Sequence, residues 1–135
     1  MVKTMSEHYA DDVHMTQEKL QYFEKKLKII KKNELQNIYN ILLYLREEGL
    51  TLQDINQVSS AEEDIALKCQ EYKYSKKIVN EVDHALEKIK SGDYGYCEDT
   101  GEPIKIARLE VIPTARLSVE AQEIRERKKS IIAKM

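Results

Sequence analysis

The sequence predicts a mainly α-helical protein: a long antiparallel coiled-coil hairpin, then a small C-terminal globule and a C-terminal helix. Three observations carry this. Residues 16–48 and 60–90 both repeat apolar side chains at three- and four-residue steps. Each stretch is roughly 30 residues, or about 45–50 Å of helix at 1.5 Å per residue. Between them stands GLTLQDINQVSS, residues 49–60, long enough for little more than a reversal, so two arms of equal length fold back on each other. The composition agrees. With 34% charged residues, 41% hydrophobic residues, no Trp, four Gly and two Pro, it suits exposed, elongated helices better than a sheet protein. The expected organisation is a flexible arm over 1–14, the hairpin over 15–92 with its apex near 50–59, and the globule with its helix over 93–135.

The arm, MVKTMSEHYADDVH, has no apolar period and reads as a loosely held polar tail. His8 and His14 lie in it without acidic or thiol company at ligand spacing, so a solvated tail is the expected reading. The first helix should start near Thr16. Its seam is Leu20, Phe23, Leu27 and Ile30, then, after a five-residue step, Leu35, Ile38, Leu42 and Leu45. Such a step breaks heptad phase and alters supercoiling without ending a helix. Lys25, Lys26, Lys28, Lys31 and Lys32 surround the first half as a solvated basic face. Gly49 follows Glu47-Glu48 as a left-handed stop.

The apex is acidic. Glu47, Glu48, Asp54, Glu62, Glu63 and Asp64 lie between Arg46 and Lys68 with no base among them. The second helix opens on two overlapping capping boxes, Ser59-x-x-Glu62 and Ser60-x-x-Glu63. Its seam runs Ile65, Tyr72, Val79 and Leu86 at seven-residue intervals, filled by Cys69, Val82 and Ile89. Cys69 on that seam reads as a small buried hydrophobe, and His84 falls off it as a surface residue. Ser91-Gly92 ends the helix. Residues 93–118 hold both prolines and two of the four glycines, and predict a knot of turns with a core drawn from Tyr94, Tyr96, Ile104, Leu109, Ile112, Pro113 and Leu117. A last helix capped by Ser118 should run to about Ala133, with a sparse apolar face of Val119, Ile124, Ile131 and Ile132.

Several function classes are excluded. The net charge of −2 and pI of 6.0 give no electrostatic drive towards DNA. No apolar run approaches the ~18 residues of a membrane span, and no signal-peptide pattern appears, so the expected compartment is the cytoplasm, with no membrane partner. Two cysteines without a CxxC make no disulfide framework. No phosphate loop, Ser-His-Asp order, HExxH or GxGxxG is present, and paired carboxylates occur only on helix surfaces or at the apex. The protein is therefore expected not to be an enzyme and to need no cofactor. Binding through shape and charge remains.

The string from 93 onward is specific. GYCEDTGEPI, then ARLEVIPTARLSVEAQE and a basic tail, resembles the C-terminal half of the DksA/TraR family. MTQEKLQYFEKKL resembles that family's opening helix, and DINQVSSAEEDIAL its coiled-coil tip. The resemblance covers about residues 15–130 at an even register. It implies a coiled-coil hairpin on a small zinc-finger-like globule. It also implies a transcription regulator that binds bacterial RNA polymerase directly, inserts its hairpin into the secondary channel and modulates initiation through acidic tip residues, often with ppGpp, in the stringent response. A lone, narrow hairpin implies a monomer.

Carried over residue by residue, Asp54 matches the first tip acid, the second falls on Gln57, and the small residue after it on Ser59. Of four zinc-binding cysteines only Cys97 remains; Thr100, Ser118 and Ala121 hold the other positions. The globule is thus expected to be a degenerate zinc finger without metal, held by packing alone, resembling the single-cysteine DksA variety of alphaproteobacteria. Positions where the family places bases around ppGpp fall on Glu81, Ile112 and Gln122, so ppGpp binding is not expected at that place. Two other classes stand beside this reading. A structural or adaptor coiled coil would dimerise along its length, and a redox or metal sensor built on Cys97 would need an exposed thiol of low pKa.

Overall fold

The structure, a computed structural model, describes residues 14–56 and 62–135. Residues 1–13, with His8, and residues 57–61, with Gln57, Ser59 and Ser60, lie outside the described residues, and so do the two serines of the expected capping boxes. The fold is mainly helical, a long helical hairpin with further short elements: α1 Gln17–Glu47, α2 Leu52–Ile55, α3 Glu63–Ser91, α4 Ile106–Val111 and α5 Val119–Lys134. Among the described residues the sole β element is an isolated antiparallel bridge between Tyr96 and Pro103.

The helix ends follow local chemistry. The Lys19 amide donates to the Thr16 hydroxyl at 3.2 Å, so Thr16 caps α1. At the other end Gly49 adopts φ 79°. Its amide bonds the Arg46 carbonyl at 2.9 Å while the Leu50 amide reaches back to Leu45 at 2.9 Å. This is the paired 5→2 and 6→1 pattern that uses up carbonyls left over at a helix end. Gly92 (φ 84°) ends α3 in the same way, with the Asp93 amide on the Lys88 carbonyl.

The described residues fall into two compact units: one within 27–84, the other residues 14–26 with 85–135. In the first, α1 and α3 run antiparallel. Lys31 pairs with Asp83 at 2.6 Å, and nearer the turn Lys68 lies over the Tyr44 ring, 5.8 Å from its centroid. Leu27, Ile41, Leu45, Cys69, Val79 and Val82 are buried, as the seam of α3 predicts and as that of α1 predicts in part. The expected phase break is present, but the seam passes through other residues than expected. Leu35 is 46% exposed, whereas Ile41, absent from the expected seam, is 6% exposed. The inward positions run Leu27, Ile30, Glu34, Ile38, Ile41 and Leu45, while Asn37 is exposed. The phase shifts at Glu34 and Ile38, and a search for the next apolar side chain passes over Glu34 to Leu35.

In the second unit the core is built on Tyr94, Phe23, Ile104 and Leu109, each at most 2% exposed, with Cys97 and Ala121 equally hidden. Phe23 and Tyr94 rings lie 5.7 Å apart, and the buried Tyr94 hydroxyl donates to the Pro113 carbonyl at 2.7 Å. Arg108 Nε donates to the Leu117 carbonyl at 3.0 Å, fastening α4 to the segment before α5. Two expectations fail here. Ile112 is 42% exposed; it is the cap residue at which α4 ends, with φ −127° and ψ 82°, outside the helical backbone that carries Leu109 inwards. His14 is not a solvated tail residue: it is half-buried, and its ring stands edge-on to Tyr96 at 5.4 Å. Burial, followed by smaller opposing contributions from backbone contacts at Gly95 and Ile104, holds its pKa below the ordinary value. His84 in the other unit is also partly buried rather than at the surface.

Candidate functional site

Two places carry residues singled out in the sequence, the apex and the turn around Cys97. At the apex the chain leaves the Gly49 stop, extends through Thr51 (φ −108°, ψ 173°) and forms the single turn α2. Ile55, 2% exposed, anchors that turn in a cluster with Ile41, Leu45 and Cys69. Its neighbour Asp54 is half-exposed. The Thr51 amide and hydroxyl both donate to Asp54 Oδ2, at 2.7 and 2.9 Å, and the Asp54 amide donates back to the Thr51 carbonyl at 3.1 Å. The amide bond first, and the hydroxyl bond second, lower the Asp54 pKa, so the carboxylate stays ionised at neutral pH. Thr51 was not singled out from the sequence, although Thr-x-x-Asp is a capping-box spacing.

The other apical acids remain at the surface. Glu63 and Asp64 stand in the first turn of α3, where the positive end of the helix dipole favours them. Glu47 and Glu48 close α1, where the dipole opposes them. The Tyr44 phenol registers the resulting field. Burial first, then the charges of Glu48 and Asp64, push its pKa up. Among the described residues no three His, Cys, Asp or Glu side chains converge as metal ligands, so these acids form a spread negative surface and not a cation cage.

The Cys97 turn has the backbone of a knuckle. The Cys97 amide bonds the Glu102 carbonyl at 2.7 Å, the Gly101 amide bonds the Cys97 carbonyl at 2.8 Å, and the Ile104 amide bonds Gly95 at 2.8 Å. The thiol is 2% exposed. Burial pushes it up, but the Thr100 hydroxyl and the amides of Ser118, Thr100 and Asp99 outweigh burial and bring its pKa down to about 7. The residues do not fit a structural zinc ion, which takes four sulfur or nitrogen donors. Cys97 supplies one sulfur. Ser118 Oγ accepts the Ala121 amide at 3.2 Å as the cap of α5, Thr100 offers a hydroxyl that also accepts the Glu102 amide at 3.2 Å, and buried Ala121 has no donor. Ion pairs brace the turn. Arg116 makes two bonds to Glu98, at 2.7 and 3.0 Å, and Arg125 from α5 grips Asp99 in a fork, its Nε at 2.7 Å.

Of the three positions matched to a ppGpp site, Glu81 is half-buried on α3, Ile112 ends α4, and Gln122 donates to Glu126 at 3.0 Å. None brings a cation.

Comparison with known proteins gives a consistent result. Residues 92–127 match the family described as prokaryotic dksA/traR C4-type zinc finger. The chain is 39% identical over 121 residues to the RNA polymerase-binding transcription factor DksA of Caulobacter vibrioides, covering 90% of this chain and 85% of the relative. It is 31% identical to the protein of the same name from Buchnera aphidicola subsp. Schizaphis graminum, over 87% of this chain and 80% of that one. Among solved structures it is similar to the transcription factor DksA2 from Pseudomonas aeruginosa, with a TM-score of 0.70 at 29% identity, covering 84% of this chain and 88% of that one.

Proposed function

The chain belongs to the DksA/TraR family, and from this premise we propose that it is a transcription regulator that binds bacterial RNA polymerase, with the hairpin apex as its acting end. Its relatives are named for RNA polymerase binding. The observation that carries the assignment to the apex is the state of Asp54: an ionised carboxylate, fixed by Thr51 and anchored through Ile55, on a stretch from Glu47 to Leu67 that holds no base. In this reading the hairpin enters the secondary channel, and the charge of Asp54 acts among the cations and phosphates of the catalytic centre; Gln57 and Ser59 are the other two residues that match family tip positions in sequence. The protein acts as a monomer, binds polymerase and not DNA, and does its work without a catalytic step of its own. It works in the cytoplasm; among the described residues no helix is long and apolar enough to cross a membrane.

The test is capture of purified core RNA polymerase by the purified chain, with single-round transcription from a promoter whose open complex is short-lived. Binding together with a changed open-complex lifetime is expected. Failure to bind core polymerase would overturn the reading.

A further inference from the structure

Within the 27–84 unit a groove of about 440 Å³ lies along one flank of the hairpin, between α1 and α3. That volume suits a molecule and not a single ion. Glu34, Asn37 and Ile41 line it from α1, each about a turn from the next; Glu71, Tyr74 and Ser75 line it from α3 beside Lys68. The charges do not cancel. Lys68 pairs with Glu71 at 3.2 Å and lies over the Tyr44 ring, 5.8 Å from its centroid, so these two balance each other. Glu34 is left over. It is half-buried at an inward position, and among the described residues no hydrogen bond or ion pair holds its carboxylate. Ser75 is 5% exposed, and among the described residues its hydroxyl has no partner either.

A carboxylate held partly out of water gains by pairing with a cation, and a buried hydroxyl gains by finding a hydrogen-bond partner. The other walls fit the same ligand. Asn37 is exposed and its amide oxygen accepts. Tyr74, 66% exposed, offers a ring face to a cation, and Ile41 offers apolar surface to a short hydrocarbon chain. An anion would meet two carboxylates and a lysine already taken. A metal ion is a poorer match, since among the described residues no three His, Cys, Asp or Glu side chains converge. We propose that this groove binds a free, small organic cation, a guanidinium or primary ammonium group on a short aliphatic chain, with Glu34 as its counter-charge and Ser75 and Asn37 as acceptors. The groove is open to water, so the affinity is modest. The site is separate from the apex and does not depend on what the apex acts on.

Titration of the full chain with agmatine, which carries both a guanidinium and an ammonium group, tests it, read by amide proton–nitrogen correlation spectra at constant ionic strength. Saturable shifts are expected at amides over 34–41 and 68–75, with a Kd of about 1 mM or tighter. A neutral diol of similar chain length should move none of them. Glu34→Gln keeps the shape of the side chain and removes its charge, and should weaken binding about tenfold or more. Ser75→Ala, a second variant, should weaken it about threefold or more. Shifts that never saturate, or that spread over the acidic residues of the apex, would overturn the proposal, since they report charge screening and not a site. So would full affinity retained by either variant.

Discussion

Thr51 and Asp54 are locked together by three hydrogen bonds in which each residue is both donor and acceptor, and Asp54 Oδ2 receives two of them. The carboxylate with the best claim to act on a partner is therefore also a structural part of the turn that presents it. Charge and hold have to be separated by experiment.

Asp54→Asn performs that separation, because the amide oxygen of Asn still accepts from Thr51 while the charge is gone. The variant should bind RNA polymerase like the parent and lose most of its effect on open-complex lifetime. Gln57→Asp, which restores a second tip acid, should strengthen the effect. Competition binding beside single-round transcription distinguishes the two quantities. An Asp54→Asn protein that acts like its parent, or that fails to bind, refutes the division between binding sides and acting tip.

Thr51→Val removes the hydroxyl bond and keeps the backbone one. The Asp54 pKa, depressed by Thr51, should rise towards the ordinary carboxylate value, and Thr51→Ser should restore it. The sign follows from linkage. A carboxyl whose folded pKa is depressed adds stability that is present above its unfolded value of about 3.9 and is lost as pH falls through the folded value. Carboxyl carbon NMR titration of parent and variants reads the shift directly; identical Asp54 titration in all three would show that the hydroxyl contributes nothing.

The two seam registers differ at residue 35. Leu27→Ala should cost about 2–5 kcal/mol, as for other fully buried leucines. Leu35→Ala, at 46% exposure, should stay within about 0.5–1 kcal/mol. Urea midpoints of the two variants decide it, and equal losses would return Leu35 to the seam, as the apolar spacing suggests.

Purified protein should hold zinc at well below one ion per chain and keep its circular dichroism in chelator, because one thiol, two engaged hydroxyls and an alanine do not make a four-donor site. Elemental analysis beside a chelator melt is sufficient. One tightly held zinc per chain would contradict the donor chemistry described above.

Cys97 should make stability depend on pH. Its folded pKa of about 7 lies below the ordinary thiol value of 9.0, so folding favours the thiolate relative to the unfolded chain. The resulting stabilisation is fully present above the unfolded value and is lost as pH falls through about 7. The stability gap between parent and Cys97→Ser should accordingly be larger at about pH 9 than at about pH 6. A gap that does not change across this window would mean that the amides around the sulfur do not favour its anion.

Much of the fold is legible in the sequence, because helix-forming signals are local. The heptads of α3, the glycine stops at 49 and 92 and the Ser118 cap all depend on residues within a turn of each other. The family resemblance rests on similarly local strings around Cys97 and the apex. What escapes a one-dimensional reading is polar or distant. Glu34 hides the seam because it breaks the apolar pattern without breaking the helix. The Thr51–Asp54 lock is visible as a spacing, but it competes there with the reading of a plain turn. The grip of Arg125 on Asp99 and the bonds of Tyr22 and Lys26 to Glu110, at 2.8 and 2.9 Å, join residues far apart in the chain, and nothing local announces them. Ile112 misleads in the opposite way, since hydrophobicity alone does not say where a short helix ends.

Gly95 has φ 90°, and a Cβ built on it would fall 2.8 Å from Met15 Cε and 2.9 Å from its Cγ. The methionine occupies the volume that any other residue at 95 would claim. Positions 15 and 95 are therefore one choice made twice: a side chain at 95 requires a shorter one at 15 as well as tolerance of the left-handed backbone. Across relatives that share this contact, the two columns should change together although they stand eighty positions apart, and Gly95→Ala should be rescued in part by Met15→Ala, a coupling that a double-mutant cycle would measure.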